Sequence, residues 1–437
     1  MELDEKLKLI KKARDARLKA DGVSRAWDRI AETEGLSTKE KLEKLISLTQ
    51  TGPQPKPIKP GVRKKEGRSF QVFEHQHSLS CRYGRIPLDT GLRISGQTLA
   101  LLSRDPAFAE LDLSSALFLD LETTGLSGGV GVVPFLAGLA FYREGKFHVV
   151  QYLLHDLHDE DLMIEGLTGF LERMDFTSVV SYNGKAFDLP LLETRFIFHR
   201  KPFPLAGLPH LDFLFSARSL WKHKHDSCRL GHLSREVLLA DRAEDIPSAE
   251  IPLRYFQYLR TEDFSLIEPI LYHNQEDLLS LLGVVIAGAL VVAGEGEEAW
   301  EGIDGSDMFG AARVFERAGD LERSVRFLEK ALERRMSGDM AVLAKKRLSY
   351  LLKKNQSWDK AIALWKDLTP ANQLFCFKEL AMYYEHREKN YQEARRLTEE
   401  GLSLSLGVSL EYEKDFSQRL ERLCRKIERP AKGTKKP

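Results

Sequence analysis

The spacing of apolar residues divides the chain into regions with different periodicity. Residues 1–50 have scattered apolar positions among many charges, which predicts helix. Residues 51–68 (TGPQPKPIKPGVRKKEGR) contain four prolines and predict a linker, because proline cannot continue a helix. Beyond them, strand-like and helical patterns alternate, and helical periodicity alone remains after residue 294. We therefore predict four parts: a basic helical segment with a linker (1–68), a mixed domain (69–294), helical repeats (295–424) and a basic tail (425–437).

The mixed domain predicts an α/β sheet. ALFLDLE, which starts at Ala116, is an apolar run of strand length, and FLAGLAFY and KFHVVQYLL follow as two strands around a turn at Arg143–Gly145. Asp161–Arg173 and LPLLETRFIF have helical spacing, and SVVSYNG between them predicts a strand and a turn. Three early strands followed by alternating helix and strand are typical of a mixed sheet with flanking helices.

After residue 294, three stretches each predict two helices joined by a short polar turn: Ala311–Leu332, Leu348–Leu368 and Leu380–Leu402. Trp358 and Tyr391 occupy equivalent places 33 residues apart, close to the tetratricopeptide period of about 34. The turn at Leu321 breaks this period, so an unrelated helical bundle is the alternative. We expect a separate helical layer that binds a protein partner and contributes nothing to chemistry.

Composition adds little to this picture. The chain has 43% hydrophobic and 30% charged residues, a globular balance, and a net charge of zero. Residues 1–68 hold 18 Lys and Arg against 11 Asp and Glu, an excess that suits a phosphate backbone or solvent equally well. Four cysteines without a CxxC pair predict reduced thiols in a cytoplasmic protein. The apolar run Leu278–Gly294 predicts a buried core helix rather than a membrane span.

Acidic residues interrupt the apolar strand that starts at Ala116. Asp120 and Glu122 point to one face, since side chains at i and i+2 of a strand do so. Two close carboxylates resist ionisation, and a divalent cation between them resolves this; the alternative is a strand that ends early and two solvated acids. The following turn, Thr123-Thr124-Gly125, can offer backbone N–H groups to a terminal nucleotide.

Two later motifs supply further polar groups. SYNGKAFDLPLL predicts a tight turn at Asn183 and a helix starting at Asp188, which alone would indicate only a helix N-cap. Asn183 and Lys185 in this turn are expected to bind substrate; Lys185 would contact phosphate or lie in solvent. HNQEDLLSLL places Asp277 on a helix, with His273 four residues earlier on the same face.

FLDLETTGL, VVSYNGKAFDLPLLETRF and YHNQEDLLSL together resemble, in this order, the DEDD-type 3′–5′ exonucleases of RNase H-like fold. More closely, the chain resembles bacterial proteins in which an RNase H-like domain precedes tetratricopeptide repeats. The resemblance covers Ser69–Gly294 and extends weakly into the repeats. It implies a site for two Mg²⁺ or Mn²⁺ ions about 3.5–4 Å apart. The implied ligands are Asp120, Glu122, Asp188 and Asp277.

The residue that would orient or deprotonate a water departs from the family pattern. The histidine subclass places its His five residues before the last Asp, and the tyrosine subclass places its Tyr four before. Here Tyr272 is five before Asp277 and His273 is four before. These two side chains point about 100° apart on a helix. We predict His273 for this role because it shares the face of Asp277.

The function implied is hydrolysis of DNA or RNA from a 3′ end by a metal-dependent nuclease. One alternative is a catalytically idle protein that binds nucleic acid or serves as a scaffold through its repeats. Another keeps the metals but cuts internally, as RNase H-like junction nucleases do. The expected partners are nucleic acid and a protein bound by the repeats, with no membrane.

Overall fold

The computed structural model describes residues 61–65, 68–125, 131–242, 245–293 and 303–428. Its strands are, in chain order, β1 (Gly61–Lys65), β2 (Arg68–Ser78), β3 (Arg82–Tyr83), β4 (Ile86–Pro87), β5 (Ala116–Thr123), β6 (Pro134–Arg143), β7 (Lys146–Leu154), β8 (Ser178–Ser181) and β9 (His210–Asp212). Seven of them form one mixed sheet in the order β1-β2-β7-β6-β5-β8-β9. The pairs β5–β8 and β8–β9 are parallel and the others antiparallel, which confirms the predicted mixed sheet.

The helices flank this sheet and then continue alone. Those of the sheet region are α1 (Gly96–Ser103), α2 (Glu160–Met174), α3 (Asp188–Phe198), α4 (Phe213–Trp221), α5 (Leu230–Glu236), α6 (Ile251–Thr261) and α7 (Glu268–Ala293). The helical region that follows contains α8 (Gly305–Arg317), α9 (Leu321–Glu333), α10 (Gly338–Lys354), α11 (Trp358–Leu368), α12 (Leu374–Tyr383), α13 (Tyr391–Ser405) and α14 (Leu410–Glu428).

Strand β5 forms because its alternating side chains meet apolar surroundings on both faces. Leu117, Leu119 and Leu121 are buried in the core that α2 and α6 cover. Phe118 points the other way, into the core beneath α7. On this second face Phe118 is followed by Asp120 and then by Glu122, so the face changes from apolar to acidic toward the end of the strand. Both acidic residues are half-buried.

Helix α7 crosses the second face of the sheet and is the core helix of the molecule. The stretch Phe264–Ala293 is long and apolar enough to span a membrane, but 83% of its most apolar window is buried inside the protein. Its burial confirms the prediction of a core helix for Leu278 onward. Gln151 of β7 donates to the Leu271 carbonyl at 2.8 Å and so fixes the first turns of α7 to the sheet.

The helical region is three hairpins and a final helix, with turns at the predicted places. Contrary to expectation it is not a separate layer, because one continuous apolar core extends from Phe118 in the sheet to Phe416 in α14. Helix α8 lies directly on α4: a Cβ added at Gly310 would lie 2.2 Å from the Leu220 carbonyl oxygen. Elements packed this closely fold as one unit. That the hairpins are tetratricopeptide repeats stays a prediction.

Two predicted boundaries were wrong by a few residues. The linker predicted over 51–68 ends earlier, because residues 61–65, which follow Pro60 in the sequence, pair with β2. The basic tail predicted from residue 425 begins later, since α14 continues to Glu428 with Leu423 packed in the core. The predicted helical segment 1–50 lies outside the described residues. The four cysteines are free thiols, as predicted.

Candidate active site

Four predicted acidic residues reach one edge of the sheet from three elements. Asp120 and Glu122 lie near the end of β5, and Asp188 is the first residue of α3, which follows the parallel neighbour β8. The Leu121 N–H donates to Asp188 Oδ1 at 3.2 Å, so α3 starts against β5. Asp277 comes from α7, which crosses this edge. Carboxyl ends of parallel strands meet at one side of a sheet, which is why the segments after β5 and β8 converge here.

These carboxylates lie close enough to perturb one another. Burial raises the pKa of Asp120 well above its ordinary value of 3.8, and the neighbouring carboxylates raise it further. Burial likewise raises the pKa of Glu122 to about 8, with His273 opposing and Asp277 reinforcing the shift. Burial raises the pKa of Asp188 to about 6. Desolvated like charges without compensation hold protons, and a bound cation would release them.

The donor set fits a divalent cation. Within the described residues, Glu122 makes no hydrogen bond through either oxygen, and Asp120 uses only Oδ2, which accepts from Asn274 Nδ2 at 2.8 Å. Hard cations prefer carboxylate oxygens of this kind. As the side chains stand, however, no group of three or more His, Cys, Asp or Glu in the described part of the chain is arranged to hold a metal.

His273 lies beside two of the four carboxylates. Its Nε2 is 3.6 Å from Asp277 Oδ2 and 3.9 Å from Glu122 Oε1, and the side chain is 7% exposed. Burial alone would lower its pKa, but a hydrogen bond to Asp245 and the nearby carboxylates raise the pKa to about 9. The imidazole thus balances carboxylate charge. Tyr272, the other candidate, is half-buried.

The turn after β5 holds itself together with its own hydroxyl groups. The Thr123 hydroxyl donates to the Gly125 carbonyl at 2.7 Å, and the Val133 N–H donates to Thr124 Oγ1 at 3.0 Å. Thr123 and Gly125 line a pocket of about 480 Å³ next to the carboxylates, and Thr124 is not among its lining residues. The other lining residues are Leu121, Glu122, Val132, Ala186, Phe187, Asp188, Pro190, Leu191, Thr194, Ser248 and Pro252.

Asn183 and Lys185, predicted to bind substrate, do not line this pocket. Their N–H groups donate to the two oxygens of Asp212, at 2.7 and 3.1 Å, and Asn183 has a φ of 69°. The backbone N–H donors of this turn therefore point toward Asp212 of β9 and not toward a ligand. The side chain of Lys185 is exposed beside it.

Three further residues at the site were not predicted from the sequence. Asn274 is fully buried and joins Asp120 to Gln151, whose Nε2 donates to Asn274 Oδ1 at 2.9 Å. Arg242 and Asp245 come from the irregular segment before α6: Arg242 Nη2 forms ion pairs with Asp277 Oδ1 at 2.6 Å and Asp245 Oδ2 at 2.5 Å. Asn274 had a weak signal, since it lies between His273 and Asp277 in the polar part of a helix whose second half is apolar. Arg242 and Asp245 had none.

Comparison with known proteins gives the following relatives. A family model described as RNase_H superfamily (RNase_H_2) matches residues 117–287, which contain every acidic residue of the site. "Uncharacterized protein YprB" of Bacillus subtilis (strain 168) is 33% identical over 318 residues, 72% of this chain and 75% of that protein. Among solved structures, the family B DNA polymerase from Pyrobaculum calidifontis aligns with a TM-score of 0.34 and 16% identity. That alignment covers 50% of this chain and only 28% of the polymerase chain, too little to establish a shared fold.

Proposed function

Residues 117–287 form an RNase H superfamily domain, and from this premise we propose that the chain is a metal-dependent nuclease that removes nucleotides from the 3′ end of DNA or RNA. The observation that carries the proposal is the cluster of half-buried carboxylates formed by Asp120, Glu122, Asp188 and Asp277. Desolvation raises the pKa values of Asp120, Glu122 and Asp188. Carboxylates gathered with raised pKa values are typical of a site that binds a cation.

The four carboxylates would hold two Mg²⁺ or Mn²⁺ ions. Such ions, when bound, supply charge to the phosphodiester and lower the pKa of an attacking water. His273 directs Nε2 into the same space, so it would orient that water and accept its proton once the carboxylate charge that raises the imidazole pKa is compensated. Proton transfer by His273 would therefore depend on how far the charge of the neighbouring carboxylates is compensated.

The pocket beside the carboxylates would hold the terminal nucleotide. Its walls combine Thr123 and Gly125 with apolar side chains, of which Phe187 is 51% exposed at the surface. An exposed aromatic ring offers a stacking face to a base of any identity. A pocket of this kind would receive an unpaired end and would not select a sequence.

A degradation panel tests the proposed function. Linear and circular single strands of DNA and of RNA, labelled at the 5′ end, are incubated with the full chain and Mn²⁺, Mg²⁺ or a chelator. We expect metal-dependent shortening of linear strands only, abolished by Asp120→Ala. The matched control is Asp112→Ala, an exposed acid outside the cluster, whose carboxylate accepts from the Ser114 N–H at 2.8 Å.

The other outcomes identify the alternatives. Cleavage of circular strands would show an internal cut and refute the exonuclease proposal. Binding of oligonucleotides without cleavage under any metal condition would favour the idle binding protein. Under the proposal, the helical region contributes a surface for a protein partner, and the reduced thiols suit a cytoplasmic location.

A further inference from the structure

A chain of buried polar contacts runs from the carboxylates into the interior, with Arg242 at its centre. The Arg242 side chain is fully buried, and beyond its ion pairs with Asp245 and Asp277 it donates from Nη1 to Ser280 Oγ at 3.2 Å. Ser280 Oγ lies 2.8 Å from the Tyr83 hydroxyl of β3. Each member of such a chain limits the orientation of the next.

Asp245 is the member that touches His273. Its Oδ1 lies 2.5 Å from His273 Nδ1, and its Oδ2 is the oxygen paired with Arg242. Although burial raises the pKa of Asp245, the hydrogen bond to His273 and the charges of His273 and Arg242 lower it overall. A carboxylate at Nδ1 requires a proton on Nδ1 and fixes the plane of the ring.

We propose that Asp245 is a positioning residue for His273: its carboxylate, anchored by Arg242, holds the Nδ1 proton and aims Nε2 at Glu122 and Asp277. The expected effect of Asp245 on catalysis rests on the proposed function, whereas its effect on the orientation of the His273 ring does not. In the observed orientation Nε2 lies 3.4 Å from the Ser248 hydroxyl, 3.6 Å from Asp277 Oδ2 and 3.9 Å from Glu122 Oε1. Without Asp245 the ring would lose its partner at Nδ1, and with it the contact that fixes this orientation.

The proposed role explains why Arg242 and Asp245, which lie between α5 and α6 in the chain, approach the site. Asp277 and His273 lie one turn apart on α7, and Arg242 and Asp245 approach them as an oppositely charged pair from outside the helix. Two charged groups at this depth are costly to bury unless each is paired. Here Arg242 contacts Asp245 and Asp277, and His273 contacts the same two carboxylates. These contacts satisfy that condition and fix both His273 and Asp277.

The experiment combines NMR with kinetics on the full chain. In protein labelled with ¹⁵N-histidine, the Nδ1 proton of His273 should give a deshielded, slowly exchanging signal, assigned by its loss in His273→Gln. Asp245→Asn should shift or broaden that signal and lower kcat by about 10–100-fold with KM unchanged, as loss of an orienting partner does. Asp245→Glu, which restores the charge, should recover part of kcat. The control Glu250→Gln removes a carboxylate that pairs with Arg254 at 3.1 Å and should change neither readout.

The two proposals fail in different ways. If Asp245→Asn keeps the Nδ1 signal, or loses it while kcat is unchanged, the positioning role is overturned and the nuclease proposal stands. If the unmodified chain degrades no substrate, the nuclease proposal fails, and the Nδ1 signal in Asp245→Asn alone decides whether Asp245 orients the ring. A fall in kcat that only follows a fall in melting temperature, with the Nδ1 signal intact, also overturns the positioning role.

Discussion

Gly138→Ala should damage the site through a side chain that does not itself touch substrate. Gly138 of β6 lies opposite Asp120 in the sheet. A Cβ at this position would lie 2.1 Å from Asn274 Oδ1 and 2.6 Å from its Nδ2. Asn274 is completely buried and bonded to Asp120 and Gln151, so its amide has no free space to enter. The added methyl must displace the group that holds Asp120.

The expected cost follows from two contributions. Overpacking of a well-packed interior costs about 1–3 kcal/mol. Loss of the amide donor leaves the Asp120 carboxylate with an unsatisfied oxygen, which costs about 1–3 kcal/mol more. Both act through one side chain and are not additive, so we expect about 2–4 kcal/mol in the free energy of unfolding, measured by urea denaturation.

The control is Gly169→Ala in α2, where the added Cβ meets only the mobile end of Arg173 at 3.4 Å. Because alanine favours helix over glycine, this variant should gain about 0.5–1 kcal/mol. Under the nuclease proposal, Gly138→Ala should also weaken Mn²⁺ binding in a calorimetric titration. Equal stability of the two variants, with unchanged Mn²⁺ affinity, would refute this account of the glycine.

Three further outcomes are expected. His273→Ala should lower kcat by about 10²–10⁴-fold and Tyr272→Phe should have little effect in the strand-shortening assay; the reverse order would contradict the assignment. Burial alone would raise the pKa of Glu385, but bonds from basic side chains of α14 lower it from 4.5 to about 2. About 3 kcal/mol of stability, fully present above pH ~4.5, should therefore be lost as the pH falls through ~2, and pH-dependent unfolding of Glu385→Gln should not show this loss. A chain that ends at Ala293 should aggregate or melt early, since it uncovers the surfaces of α4 and α7 that α8 buries; a soluble fragment with unchanged melting temperature would contradict the shared core.

Local pattern was enough to predict most elements of the fold. The run ALFLDLE predicted β5, the turn at Glu144 predicted the β6–β7 hairpin, and the helical periods predicted α2 and the hairpins after residue 294. The strand β1 was missed because GVRKK has no alternation of apolar and polar residues, and its pairing with β2 is a contact between neighbours in space. The shared core was missed because periodicity shows which face of α8 is apolar but not what covers it.

The residues of the site likewise fall into those that local sequence pattern could predict and those that it could not. Asp120, Glu122, Asp188 and Asp277 stand in short motifs, so sequence alone could nominate them. The helical phase of α7 also predicted that His273, and not its predecessor, faces Asp277, which is the arrangement observed. Asp245 could not be nominated, because it reaches His273 from 28 residues away along an irregular path with no periodicity to extrapolate.

Helix α7 explains why the candidate site and the helical region that follows it occupy one folded unit. Its first half carries His273, Asn274 and Asp277 onto the edge of the sheet, and its second half, from Leu278 to Val292, is buried in the core shared with α8. A helix of 26 residues is about 39 Å long, so it extends well past the sheet. The apolar second half has to be covered, and α8 with its successors covers it. Substitutions in the helical core should therefore lower activity by loosening α7, in parallel with stability, whereas substitutions at Asp245 should lower activity without that parallel.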